Sequence, residues 1–158
     1  MFREVARKKK AITTEDCIHL LKTEKRGVLS VLGDDDYPYG MPMNHWYNEE
    51  DGNIYFHCGK KGHRLDALCN HSKVSFCVYD SGYRDDGDWA LNIKSVIVFG
   101  KIDVIDDMEI IVDISTKLSH KFTQDEAYIQ AEIENYAKET LLLRLTPEHM
   151  TGKQVKEA

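Results

Sequence analysis

Apolar positions near the start of the chain recur at helical spacing. The pattern predicts a helix that begins after Thr13 or Thr14 and runs to about Lys25, because three apolar residues within it share one face. Gly27 follows and is expected to end the helix, since glycine tolerates the left-handed conformation that often stops one.

After this helix the apolar residues follow a two-residue period or form short runs, as they do in strands. Pro38 and Pro42 lie in the second of these segments and make it irregular or place it at a sheet edge. Gly100 is expected to mark a bulge in the fifth. The six predicted strands cover residues 27–32, 37–47, 53–58, 73–79, 93–105 and 140–145.

Three further helices are predicted, over residues 63–70, 107–118 and 124–138. The first twelve residues read as a loose basic arm, and the polar tail of residues 147–158 is predicted to be irregular.

Hairpin-length turns join most of the strands, so we predict an antiparallel sheet. A six-stranded sheet with one buried face tends to close into a barrel, which removes its exposed edges. No repeat or change of composition divides the chain. We therefore predict one mainly β (α+β) domain over residues 1–158, with its core at about residues 14–153 and peripheral helices.

Composition places the chain among soluble globular proteins, with 42% hydrophobic and 30% charged residues. The net charge of -6 argues against nucleic acid as the main partner. No apolar run is long enough to span a bilayer, and no secretory signal follows the basic start. Four cysteines without a Cys-x-x-Cys motif are expected to be reduced thiols in a cytoplasmic protein.

One basic segment, residues 57–64, contrasts with the acidic remainder and contains no acid. A strand is predicted to end here, a glycine-rich turn follows, and a helix begins. The first N–H groups of that helix are unpaired and lie at the positive end of the helix dipole, where an anion can bind. Gly62 allows close backbone approach, Arg64 matches the oxygens of a phosphate, and Lys60 and Lys61 add charge. The segment predicts a small-anion site, with a solvated basic turn as the alternative.

Histidines and cysteines are dense around this turn, but their spacing argues against a metal site. Neighbours on a strand point to opposite faces, and residues six apart on a helix lie on different sides. A nucleophilic Cys58 beside the basic turn is a second alternative, although a packing role is favoured. The residues concerned are His57, Cys58, His63, Cys69 and His71.

Residues 39–47 mix aromatic side chains with amides in one extended segment. Such a strand can hold a flat heteroaromatic ligand, with aromatics for its faces and backbone groups for its polar edge. An ordinary hydrophobic strand is the alternative.

Several tracts in this order resemble the FMN-binding split β-barrel family of pyridoxamine 5'-phosphate oxidase relatives. Within that family the chain is most similar to the nitroimidazole-resistance (nitroimidazole reductase) branch. The resemblance covers about residues 14–153 and is most specific over residues 55–76. The tracts that carry it are residues 42–45, 54–58, 62–68, 73–76, 95–101 and 147–153.

The resemblance implies a six-stranded antiparallel split β-barrel and a homodimer with FMN at the subunit interface. The segment from Gly62 to Leu65 would hold the phosphate, and Arg64 stands where most relatives carry lysine. Trp89, Ser95 and Val96 would contribute from the fifth-strand region, to the partner's flavin. The residues so assigned to the cofactor are Met43, Asn44, His45, His57, Cys58, Lys61, Gly62, His63, Arg64, Leu65, Trp89, Ser95 and Val96.

The resemblance also implies an FMN-dependent oxidoreductase that acts on a small molecule, with nitroaromatic reduction as one activity and a nicotinamide nucleotide as electron donor. His45 or His57 would be catalytic as a proton donor, since imidazole titrates near neutrality. A substrate motif of the true oxidase is lacking, so pyridoxamine phosphate oxidation is not expected. The alternatives are a flavin- or haem-binding module without turnover and a structural protein with an empty pocket.

Overall fold

The computed structural model describes residues 1–157 and shows a curled antiparallel sheet of seven strands, in the order β2-β1-β5-β6-β7-β4-β3. The predicted mainly β class with peripheral helices is confirmed, and the sheet matches a split β-barrel. The strands are β1 Arg26–Leu32, β2 Pro38–Asn44, β3 Trp46–Tyr47, β4 Ile54–Gly59, β5 Lys73–Tyr79, β6 Leu91–Ile105 and β7 Thr140–Glu157; the helices are α1 Thr14–Thr23, α2 His63–Asn70, α3 Met108–His120 and α4 Glu126–Tyr136.

The longest strand, β7, corrects the prediction of an irregular tail. It pairs with β6 from Leu91↔Glu157 to Ile105↔Leu142, and its first six residues also pair with β4. The second half carries few apolar side chains, so the hydrophobic pattern did not reveal it. Backbone hydrogen bonds to β6 hold it instead.

Two other differences concern the ends of elements. The predicted second strand is two strands, because the chain leaves the ladder at His45, and the sheet therefore has seven strands rather than six. Gly27 does not end the first helix, which stops at Thr23. It lies in β1, where a Cβ would stand 2.5 Å from the ring of Phe76.

Two predictions that rest on glycine and proline within strands are confirmed. The pairing of β6 with β7 shifts register at Gly100, as expected for a bulge. The proline-containing β2 lies at one edge of the sheet, where only one side of the strand pairs with a neighbour and proline is best tolerated.

Side chains alternate between two buried layers. One face of the sheet packs with α1 and α2 around a large apolar core that includes the fully buried Phe56 and Phe76. The opposite face of β4 and β7 is covered by α3, where Tyr55 and Leu142 pack against Ile111. Within the described residues, no helix combines the length and the apolar character needed to cross a membrane.

Candidate functional site

The turn between β4 and α2 forms an open backbone corner. Gly62 precedes the first residue of α2 with φ +124, a conformation that favours glycine. The helix begins when the Leu65 N–H donates to the Gly62 carbonyl at 3.0 Å, so the N–H groups of His63 and Arg64 have no intrahelical acceptor. A Cβ placed at Gly59 or Gly62 would meet nothing within 4 Å, so the space beside this backbone is open.

This corner lines a cleft of about 170 Å³, which we call the anion cleft. The structure therefore brings together most of the residues predicted to hold a phosphate. Lys60 is not among them, because it points to Asp106 at 3.4 Å. The lining consists of Tyr39, Cys58, Gly59, Lys61, Gly62, His63, Arg64 and Leu65.

The cationic groups of the anion cleft are Lys61 and Arg64. Arg64 donates from Nε to the sulfur of Met41 at 2.9 Å, and no carboxylate in the described part of the chain lies within 4.0 Å of its guanidinium. His63 stacks on Tyr39, with ring centroids 4.3 Å apart. Uncompensated charge beside free N–H groups suits a phosphate, so the residues present fit the terminal group of a phosphorylated cofactor.

The neighbours His57 and Cys58 point to opposite faces of β4, as predicted. Cys58 belongs to the core, and burial raises the pKa of its thiol although the charge of Arg64 acts the other way. A raised pKa keeps the sulfur protonated, which does not favour the nucleophile alternative. His57 reaches solvent, yet the surrounding atoms desolvate its ring and Arg64 repels a second charge, so its pKa is lowered.

His57 also lines a second cleft of about 360 Å³, between β4 and the α3–α4 pair, which we call the helical cleft. Asn44 lies in the same wall; its Oδ1 accepts a hydrogen bond from Arg26 Nε at 2.9 Å, and its side-chain amide N–H groups have no acceptor among residues 1–157. Ser115, Tyr128 and other helix residues form the remaining wall. Sequence reasoning missed these helix residues, because nothing local indicates which strand the two helices cover.

His45 and Met43 lie in the core and line neither cleft. His45 is fully buried: its Nε2 is 2.8 Å from the Leu21 carbonyl oxygen, and its ring meets Phe76 edge-on. Burial, with the nearby ammonium of Lys121, lowers the pKa of His45 to about 3. The structure thus shows a packed imidazole whose lowered pKa favours the neutral form, and a catalytic role of His45 stays a prediction.

The residues predicted from the fifth-strand region also lie outside both clefts. Val96 is fully buried, and Trp89 is 72% exposed in the loop before β6. Ser95 faces a groove beneath the N-terminal arm, together with Lys153. A contribution of these residues to the site of a second subunit stays a prediction.

A family model described as pyridoxamine 5'-phosphate oxidase matches residues 13–154. No curated protein matches the chain. Among solved structures, a candidate 5-nitroimidazole antibiotic resistance protein from Bacteroides thetaiotaomicron has TM-score 0.78 at 18% identity, with 93% of this chain and 87% of that chain covered. An FAD-binding protein from Mesorhizobium loti has TM-score 0.66 at 18% identity, covering 92% and 97%. An FAD- and heme-binding protein from Mycobacterium smegmatis has TM-score 0.73 at 19% identity, covering 94% and 74%.

Proposed function

The chain belongs to the pyridoxamine 5'-phosphate oxidase family, and from this premise we propose that it binds FMN and acts as a flavin-dependent oxidoreductase. The observation that carries the proposal is the anion cleft. There, a guanidinium with no carboxylate partner among the described residues and the free N–H groups of a helix start lie around glycine backbone that leaves room for a phosphate.

The charge of the anion cleft supports FMN. Its terminal phosphate is a dianion, and Lys61 and Arg64 supply two cationic side chains. The guanidinium offers a planar pair of donors, and the N–H groups of His63 and Arg64 add two more. Solved structures of similar fold include proteins named as FAD-binding, which supports a flavin in general.

Asn44 and His57 are the residues that would lie beside the flavin ring. Asn44 has free amide donors for a polar ring edge. His57 is neutral at pH 7 because its pKa is lowered, so its ring can donate one hydrogen bond and accept another. When bound, the flavin would supply the electron-transfer chemistry, and these residues would orient it and its substrate.

The proposed reaction is the reduction of a small aromatic acceptor such as a nitroaromatic compound, with a nicotinamide nucleotide as donor. Neutral His57 would relay the proton to the substrate, donating from one ring nitrogen while the other takes a proton from solvent, because it is the one of the two predicted catalytic histidines that reaches a cleft. A structural relative at 18% identity is named for 5-nitroimidazole resistance, which motivates the choice of acceptor.

The second candidate is a flavin- or haem-binding module without turnover. The structural similarity to a protein named as binding FAD and heme favours it. Anaerobic mixing of the FMN-loaded protein with NADH or NADPH, followed by addition of a nitroaromatic compound, distinguishes the two. Loss and return of the oxidised flavin absorbance support the oxidoreductase, and unchanged absorbance supports the module.

We also propose a homodimer that completes the flavin site, in a cytoplasmic setting. The exposed Trp89, Ile97 and Phe99 offer an apolar surface that a twofold partner would cover. Cysteines 17, 58, 69 and 77 are all free, as a reducing compartment requires. Analytical ultracentrifugation of the FMN-loaded protein tests the dimer, and a purely monomeric protein would contradict it.

The test of the anion cleft compares FMN with riboflavin, which lacks the phosphate. Arg64→Ala should weaken FMN binding roughly 10- to 100-fold, since hydrogen bonds to charged groups contribute about 1.5–3 kcal/mol, and should leave riboflavin affinity unchanged. Lys60→Ala is the matched control, because Lys60 points to Asp106 outside the cleft. Quenching of flavin fluorescence gives each affinity. Equal effects of Arg64→Ala on both ligands would contradict a phosphate contact.

A further inference from the structure

Two neighbouring cations, Lys25 and Arg26, lie at the helical cleft. Lys25 Nζ is 5.7 Å from the ring centroid of Phe122, and Arg26 Nε donates to Asn44 Oδ1 at 2.9 Å; Phe122 and Asn44 both line the cleft. We propose that Arg26 is a positioning residue for flavin reduction, which holds the Asn44 amide so that its N–H groups meet the carbonyl oxygens of the flavin ring. The inference rests on the proposed function, which places Asn44 beside that ring.

The register of the sheet brings Arg26 and Asn44 together. They are opposite partners at the end of the antiparallel ladder between β1 and β2, and opposite residues in such a ladder are close enough for their side chains to touch. Their neighbours Gly27 and Met43 are buried, so the alternation of strand residues turns Arg26 and Asn44 to the other face of the sheet. The contact is therefore set by the backbone of two paired strands.

The guanidinium selects one of the two orientations of the Asn44 amide. Half a turn about the last side-chain bond exchanges the amide oxygen and nitrogen, but a guanidinium is only a donor and therefore pairs with the oxygen. The nitrogen is then the end that remains for a ligand, and its N–H groups have no acceptor among residues 1–157. Without Arg26, the oxygen could turn to the flavin and repel the carbonyl oxygens of its ring.

Arg26 also brings a positive charge to this wall of the cleft. No carboxylate in the described part of the chain lies within 4.0 Å of its guanidinium. The hydrogen bond to Asn44 polarises the amide, which strengthens the donors at its other end. Lys25 adds a second charge, and the one acidic residue of the lining, Glu132, comes from α4.

A donor and a cation at the ring favour reduced flavin over oxidised flavin. A hydride from the nicotinamide donor brings two electrons and one proton, so the reduced ring holds one negative charge until a second proton arrives from solvent. Hydrogen bonds to a charged acceptor are about twice as strong as those to a neutral one. Arg26, acting through Asn44, therefore raises the reduction potential of bound FMN.

The experiment measures the reduction potential of FMN bound to the whole protein, by equilibration with a reference dye, and the affinity for oxidised FMN by fluorescence quenching. Arg26→Met keeps an aliphatic stem and removes both the charge and the donor. The preference for reduced over oxidised FMN should fall about tenfold, which lowers the potential of a two-electron couple by about 30 mV. The affinity for oxidised FMN should change much less. Arg26→Lys keeps a cationic donor and should recover most of the shift.

Two comparisons separate positioning from charge alone. Lys25→Met removes a charge from the same cleft without a contact to Asn44, so its shift in potential should be smaller than that of Arg26→Met. In an Asn44→Ala background, Arg26→Met should have little further effect, because the residue through which it acts is gone.

An unchanged potential in Arg26→Met would overturn the inference. Equal shifts from Lys25→Met and Arg26→Met, or additive effects of Arg26→Met and Asn44→Ala, would do the same, because either result leaves only a diffuse effect of charge. These outcomes are measured on protein that binds FMN, so the inference can fail while the proposed function stands. A protein that binds no FMN would contradict the proposed function and the inference together.

Discussion

The buried imidazole of His45 makes a quantitative prediction about stability in mild acid. In the unfolded chain this histidine has a pKa near its ordinary value of 6.5, whereas in the folded protein burial and Lys121 lower it to about 3. As the pH falls below 6.5, His45 binds a proton in the unfolded state but not in the folded state. The free energy of unfolding therefore decreases, and the decrease continues until the pH reaches the folded pKa.

The magnitude follows from the two pKa values. Each pH unit within this window costs about 1.4 kcal/mol. Between pH 7 and pH 5, His45 should therefore lower the free energy of unfolding by about 2 kcal/mol, because the loss begins only as the pH falls through the unfolded pKa of 6.5. The side chain is fully buried, so no correction for solvent screening applies.

The assay is urea unfolding of the wild type and His45→Gln at pH 7 and pH 5. Other titrating groups cancel in the comparison, so the difference in stability between the two proteins should shift by about 2 kcal/mol in favour of the variant at pH 5. His71→Gln removes an exposed imidazole and controls for the substitution itself. A wild-type-to-variant difference that is the same at both pH values would refute the neutral, buried state of His45.

Two further substitutions test the fold. Asp107 caps α3 by accepting hydrogen bonds from backbone N–H groups, so Asp107→Ala should lower the free energy of unfolding, measured by urea titration, by about 1 kcal/mol. Asp106 does not cap the helix, so Asp106→Ala should have a smaller effect. Equal losses from the two substitutions would contradict the cap. Gly100→Ala would place a Cβ 2.2 Å from the Thr146 carbonyl oxygen, so it should lower the free energy of unfolding, followed by thermal unfolding, by on the order of 2 kcal/mol or more. Gly59→Ala is the control, because a Cβ there meets nothing within 4 Å. Unchanged stability of Gly100→Ala would contradict the steric clash and show that the bulge can relax.

Features that depend on one residue type in one local conformation could be predicted from the sequence. The bounds of α2 at His63 and Asn70 follow from the glycine before the helix and its apolar face. The bulge at Gly100 and the edge position of β2 follow in the same way from glycine and proline chemistry. The cationic groups and free N–H groups of the anion cleft were predictable for this reason, since they come from one turn, whereas Tyr39 reaches the cleft from β2.

Features that depend on distant packing could not be predicted. His45 lies in a segment whose aromatics and amides suit a ligand, but contacts with α1 and Phe76 bury it. The helical cleft joins side chains from β4, α3 and α4, and no spacing in the sequence relates these three elements. The second half of β7 is held by backbone pairing, which leaves no hydrophobic pattern to read.

The place of β7 in the sheet has a consequence for synthesis of the protein on the ribosome. The strand comes last in the chain but lies between β6 and β4, so it alone connects the pieces β2-β1-β5-β6 and β4-β3. Until it leaves the exit tunnel, a nascent polypeptide presents two separate fragments with unpaired borders, which are prone to association with other chains. Completion of the sheet therefore waits until β7 has been synthesised and has left the exit tunnel, and binding by holdase chaperones is expected to be strongest before that point.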